Sequence, residues 1–180
     1  MERPRGGVGL GVDVVERKRC GVWEMRLGEL WVASGLLSSA QVDQALAYHR
    51  RHGCRLGEAA LALGLLTPEQ TLTTLSQHLQ LPFVRREGLE RVPRALLRCV
   101  PEGVLSRLRV CPLRIQWGEE ARGLVYVATS EPDNLGLLEE LEAATGCTVK
   151  PVLALADDLA WVLAQHGLGD ERSAPASATL

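Results

Sequence analysis

Two arginines and two histidines stand in register along this chain. Arg26-Leu27-Gly28-Glu29 leads through Gly35-Leu36-Leu37 to Leu46 and His49. Arg55-Leu56-Gly57-Glu58 leads through Gly64-Leu65-Leu66 to Leu75 and His78, each residue 29 positions after its counterpart. Arginine carries a permanent cation on a planar fork of donors, and a neutral histidine carries one donor and one acceptor. A hydrophobic core needs the leucines of such a repeat but not its arginines or its Arg-Leu-Gly glycines. The repeated phrase therefore marks one supersecondary unit used twice, and its polar positions are the first candidates for a binding site.

The remaining reactive residue types form no catalytic pattern. Cys20, Cys54, Cys99, Cys111 and Cys147 are odd in number and no pair has CxxC spacing, so neither a zinc site nor a disulfide framework is expected. His52 and His166 show no ligand spacing with His49 or His78, and no metal is expected. Ser38, Ser39 and Ser106 lack a nucleophile elbow, and Asp157-Asp158 reads as a helix start. Gly7-Val8-Gly9-Leu10-Gly11 lacks the preceding strand and following helix that a nucleotide loop requires. No G-x-x-x-x-G-K-[ST] occurs, which excludes ATP hydrolysis by that route. The expectation is a non-enzymatic sensor or adaptor, or a fragment of a larger protein.

Composition agrees with a soluble globular chain. It has 180 residues, 46% hydrophobic and 23% charged, enough for one or two small domains. With only 4% aromatic residues, the core must be built from Leu, Val and Ala. A formal net charge of −2 gives no case for DNA or RNA as partner. Charge is uneven: residues 80–122 carry nine arginines against five acids, net +4, whereas residues 123–180 are net −7. No apolar run approaches the roughly 20 residues that span a bilayer, so direct membrane insertion is not expected. Met1 to Val12 has no uninterrupted apolar core of a signal peptide, leaving the cytoplasm as the expected compartment.

Residues 1–24 are Gly- and Arg-rich without helix or strand period and are expected to form a disordered leader; Met25 is a candidate natural start. Residues 25–79 form the tandem domain. Each copy reads as helix, tight turn, helix, with Gly35 and Gly64 as helix stops at positive φ. Ser38 or Ser39 caps the next helix in the first copy, and Thr67 with Pro68 at the first helical position does so in the second. Two copies are fewer than a solenoid needs, so a compact four-helix module is expected. Residues 80–168 follow as a small α/β domain. Its short helices open at Pro93 and Pro101, its strands run over Val110–Gln116, Leu124–Thr129 and Thr148–Leu153, and its last helix over Asp157–His166. The helix after Pro132-Asp133 is expected to turn Leu135, Leu138 and Leu141 inward. Residues 169–180 are expected to be a disordered tail. The fold class is thus α+β: a four-helix module of two tandem hairpins, then an α/β unit with a three-stranded sheet.

This order of motifs resembles the N-terminal, MshE-type domain of type II secretion and type IV pilus assembly ATPases. The tandem fits that family's frame of Arg-Leu-Gly, Gly with two aliphatics, spaced leucines and a closing Gln. So do Leu81-Pro82-Phe83-Val84, Val110-Cys111-Pro112-Leu113, Val127-Ala128-Thr129-Ser130-Glu131-Pro132-Asp133 and Thr145-Gly146-Cys147-Thr148-Val149-Lys150-Pro151-Val152. The resemblance covers residues 25–167 and implies cyclic di-GMP as ligand, one copy around each guanine half. It implies that Arg26 and Arg55 stack on purine or donate to base and phosphate. Leu27-Gly28 and Leu56-Gly57 would bring backbone N–H groups to the ligand, and Val42, Leu46 and Leu75 would meet the bases.

The chain also departs from the family. Histidine stands at the ligand-binding positions 49 and 78 where the family closes on Gln, Thr71 replaces an aliphatic residue at a further ligand-binding position, and Ala60 thins a helix of the second copy. These changes are compatible with retained nucleotide hydrogen bonding and equally with its loss. Two functions follow from the resemblance: a cyclic di-GMP receptor or adaptor for secretion or pilus machinery, or a docking domain of that machinery that has lost the nucleotide. The implied protein partner is a secretion or pilus ATPase or an inner-membrane platform protein, with peripheral attachment to the inner membrane through that partner.

Overall fold

The computed structural model describes residues 26–117 and 123–168. The expectations for the leader, the tail and the turn after Trp117 lie outside the described residues. Chain contacts divide at Phe83/Val84 into two compact units.

The first unit holds α1 (Leu27–Ala33), α2 (Ser39–His52), α3 (Leu56–Ala62) and α4 (Pro68–Leu79). Local chemistry starts and stops these helices as the sequence dictates. Ser38 accepts from the Gln41 N–H while Gln41 Oε1 accepts from the Ser38 N–H; Thr67 and Gln70 repeat the exchange. Gly35 (φ +69°) and Gly64 (φ +65°) end α1 and α3 in the left-handed region, where a Cβ would be strained. Each α1 and α3 start is held by the Glu of its Arg-Leu-Gly-Glu phrase. Glu29 accepts from the Arg26 N–H at 3.0 Å and Glu58 from the Arg55 N–H at 2.9 Å.

The four helices close on one another: α1 packs on α2 and α4, and α3 packs on the same two. Trp31, Leu37, Ala60 and Leu66 are buried at the centre, with Leu27, Leu36, Val42, Leu56 and Leu65 around them. Trp31 and Ala60 are counterpart positions of the repeat and both are 0% exposed, so the small residue of one copy shares a cluster with the large one of the other. The indole Nε1 of Trp31 donates to Thr74 Oγ1 at 3.1 Å. The counterpart of Thr74 is Ala45, also 0% exposed. The repeat thus carries a bonded Trp and Thr at positions 31 and 74 where the counterpart positions 60 and 45 are both buried alanine. Ala60 and the Trp31 indole share one buried cluster.

The second unit holds α5 (Arg86–Glu90), α6 (Arg94–Leu97), α7 (Glu102–Leu108), β1 (Cys111–Trp117), β2 (Gly123–Thr129), α8 (Leu135–Thr145), β3 (Thr148–Leu153) and α9 (Ala156–Gln165). The sheet order is β1-β2-β3, β1 antiparallel to β2 and β3 parallel to it, with α8 supplying the crossover that a parallel pair needs. Val125, Val127, Val149, Leu141, Leu159, Val162 and Leu163 lie in its core. Two features differ from expectation. Helix α5 has too few residues for its period to show. Leu135 is 71% exposed rather than inward: Asn134 caps α8, so Leu135 is its first residue, and Leu137 and Leu141 take the core.

Candidate functional site

The candidate site is built from the N-terminal turn of one helix and one face of the next, once per copy. Arg26 and Arg55 occupy the N-cap positions of α1 and α3 in extended backbone, with exposed side chains. Their backbone N–H groups donate to Glu29 and Glu58. Leu27 and Leu56 fold inward onto the Trp31 cluster. On α2, Val42, Leu46 and His49 fall at helical spacing; Thr71, Leu75 and His78 repeat this on α4.

Glycine joins the two parts. A Cβ on Gly28 would lie 2.8 Å from Val42 Cγ1, closer than real Cβ contacts come. On Gly57 it would lie 3.3 Å from Leu75 Cδ1 and 3.5 Å from Thr71 Cγ2. Each Arg-Leu-Gly turn is therefore seated against the face of its own second helix, and the glycines serve helix packing before any ligand. Gly28→Ala is expected to destabilise the first unit by about 1–3 kcal/mol through overpacking, and Val42→Ala in the same chain to relieve it. Urea unfolding followed by circular dichroism measures both.

The two copies differ at their polar ends. His49 Nδ1 pairs with the Cys54 carbonyl oxygen. A carbonyl only accepts, so His49 Nδ1 is the donor in this bond. That bond ties the end of α2 to the residue preceding Arg55. His78 Nδ1 is buried and has no hydrogen-bond partner among the described residues. Thr71 is 0% exposed and its hydroxyl donates to the Thr67 carbonyl at 3.0 Å, so the structure places it inside the helical unit beneath Gly57. The first copy thus presents Arg26, Val42, Leu46 and His49, and the second presents Arg55, Leu75 and His78. Sequence reasoning gave no role to Glu29 and Glu58. Their place three residues after each N-cap was the available signal.

Chemistry other than binding finds little support in the arrangement. Burial pushes the Cys111 thiol up to about 12, far from a reactive thiolate at neutral pH. Burial, and then Cys147, raise that of Cys99. Among the described residues no group of three or more His, Cys, Asp or Glu is placed to hold a metal, and no helix is long and apolar enough to cross a membrane.

A closed tandem of helical hairpins followed by a mixed three-stranded sheet unit defines an α+β module with paired arginine-bearing turns. The MshEN domain family matches residues 79–173, and the chain belongs to that family. It is 28% identical over 145 residues to the type IV pilus assembly ATPase PilB of Thermus thermophilus, aligning 81% of this chain with 16% of that protein. With PilB of Myxococcus xanthus it shares 26% identity over 129 residues, 72% of this chain and 22% of the relative. The chain therefore spans about a sixth to about a fifth of the length of these relatives. Among solved structures, MshE with cdg (cyclic di-GMP) superposes with a TM-score of 0.60 at 30% identity, covering 81% of this chain and 97% of that one. The N-terminal domain of XpsE superposes at 0.54 with 17% identity, covering 78% and 92%, a likeness of fold alone.

Proposed function

We propose that this chain is a non-catalytic receptor module for cyclic di-GMP that serves type IV pilus or type II secretion machinery. The observation that carries the reading is the duplicated Arg-Leu-Gly turn, seated twice against an apolar helix face, in a chain similar along most of its length to an MshE solved with that dinucleotide. Two exposed guanidiniums supply forks suited to phosphate oxygens and guanine acceptors. Val42, Leu46 and Leu75 supply apolar surface for the purine faces, and His49 stands one turn beyond Leu46 on the same helix. No bond is made or broken; the module reports ligand by being stabilised.

Calorimetry and thermal shift with cyclic di-GMP test the reading. A ligand at a hundredfold excess over Kd stabilises its bound state by about 2.7 kcal/mol. Measurable heat and a concentration-dependent rise in Tm are expected. Absence of both at tens of micromolar ligand overturns the receptor reading.

The burial of Thr71 favours a second reading, in which the tandem has lost the nucleotide and the chain acts only as a docking domain. Recovery of pilus or secretion components in a pull-down that is indifferent to added cyclic di-GMP distinguishes it.

A further inference from the structure

We propose that His49 is a positioning residue: it holds the turn from which Arg55 of the second half-site reaches, rather than meeting the ligand itself. The inference rests on the receptor reading above and gives a residue of the first copy a task in the second.

Only Gly53 and Cys54 separate the end of α2 from Arg55, the N-cap of α3. His49 holds both. Its backbone carbonyl accepts from the Gly53 N–H at 2.8 Å, where the chain leaves α2 at φ +66°, and its ring Nδ1 donates to the Cys54 carbonyl oxygen. That oxygen lies on the same planar, rigid peptide unit as the Arg55 N–H. The N–H, at the opposite edge of the plane, donates to Glu58 Oε2 at 2.9 Å. One peptide plane is thus held from both edges, by His49 on α2 and by Glu58 on α3. With the plane fixed, only rotation about the N–Cα bond of Arg55 sets the direction of its Cβ, and the start of α3 fixes that rotation at φ −70°. The guanidinium therefore departs from a set point although the residue is exposed, and a pre-set donor loses less freedom on binding.

The second copy supplies the contrast. His78 is the counterpart of His49, but 29 positions after Cys54 and Arg55 stand Phe83 and Val84, so no arginine occupies the place of a third turn. There His78 Nδ1 has no hydrogen-bond partner among the described residues. The exit from α4 is tied by Ser76 instead: its carbonyl accepts from the Leu81 N–H at 3.2 Å and its hydroxyl donates to the Leu81 carbonyl at 2.6 Å. The histidine bond is made where an Arg-Leu-Gly turn follows and is missing where none does.

The test pairs ligand binding with a ligand-free measurement, both on the full chain. Asn carries its amide nitrogen at the δ position that His Nδ1 occupies, and Gln carries it one bond further out. Calorimetry with cyclic di-GMP is expected to show about tenfold weaker binding in His49→Ala, most of it restored in His49→Asn and little in His49→Gln. In a double-mutant cycle, His49→Ala should add little to Arg55→Ala but its full effect to Arg26→Ala. Without ligand, hydrogen exchange at the Arg55 amide should quicken by about tenfold in His49→Ala and return toward the parent rate in His49→Asn. Rescue by Gln rather than Asn, full additivity with Arg55→Ala, or an Arg55 amide that keeps the parent rate in His49→Ala each overturns the proposal. So does a lowered Tm with parental affinity, the mark of a bond that serves stability alone. If the parent chain binds no dinucleotide, the receptor reading falls, and the exchange rates alone decide whether His49 holds the turn.

Discussion

Replacing Arg26 and Arg55 together with alanine is expected to weaken cyclic di-GMP binding by at least about 100-fold while leaving the fold intact. Hydrogen bonds to charged groups contribute about 1.5–3 kcal/mol each, or roughly tenfold to a hundredfold in Kd per arginine lost. The fold is expected to survive because both arginines are exposed and outside the buried cluster, and alanine keeps the backbone N–H groups that donate to Glu29 and Glu58. Calorimetry on the two single variants and the double variant, beside the parent, reads the effect. Both single variants should bind more weakly than the parent. A double variant of parental affinity would remove the arginines from the site, and a double variant with a lowered Tm would make them structural instead.

The second large effect belongs to the core. Trp31→Ala is expected to cost about 3–5 kcal/mol, the range for truncating a fully buried aromatic residue. Its indole is 0% exposed in a cluster with Leu37, Ala60 and Leu66, so truncation leaves a cavity that its neighbours fill only in part. Trp31→Phe should cost less. It keeps much of the ring and loses the bond to Thr74, whose hydroxyl still bonds to the carbonyls of Gln70 and Thr71. Ala60→Leu alone should destabilise through overpacking, whereas in the Trp31→Ala background it should restore part of the loss by refilling the space. Urea unfolding by far-ultraviolet circular dichroism measures the set. A Trp31→Ala penalty below about 1 kcal/mol, or no rescue by Ala60→Leu, would show that the two positions do not share one space.

These effects bear on each other through the asymmetry of the repeat. Copies that arose as one phrase are no longer equivalent. His49 is tied to the Cys54 carbonyl while His78 Nδ1 has no partner among the described residues, and Val42 is half-buried where Thr71 is wholly inside. A symmetric ligand would meet two different half-sites, so the single arginine variants are expected to lose affinity unequally.

The helices of the tandem were legible in the sequence because each is started and stopped by its own neighbours. Ser38 and Gln41, Thr67 and Gln70, and the positive-φ glycines at 35 and 64 act over a few residues of chain. The three strands were legible for a similar reason, since β-branched and aromatic runs bounded by turn residues need no distant partner to be recognised. The family could also be read from the order of motifs. What sequence alone could not decide were the contacts between residues far apart along the chain. The bond of Trp31 to Thr74 spans 43 positions, and nothing local announces that Ala60 and the indole share one buried cluster. Leu135 looked like a core residue until Asn134 took the cap and left it at the exposed end of α8. Arg114 faces solvent rather than the core only because β1 gains a residue against β2. Capping and backbone propensity are short-range and are written into adjacent residues. Register, volume complementarity and exposure are set by what packs opposite, and only the folded chain supplies that.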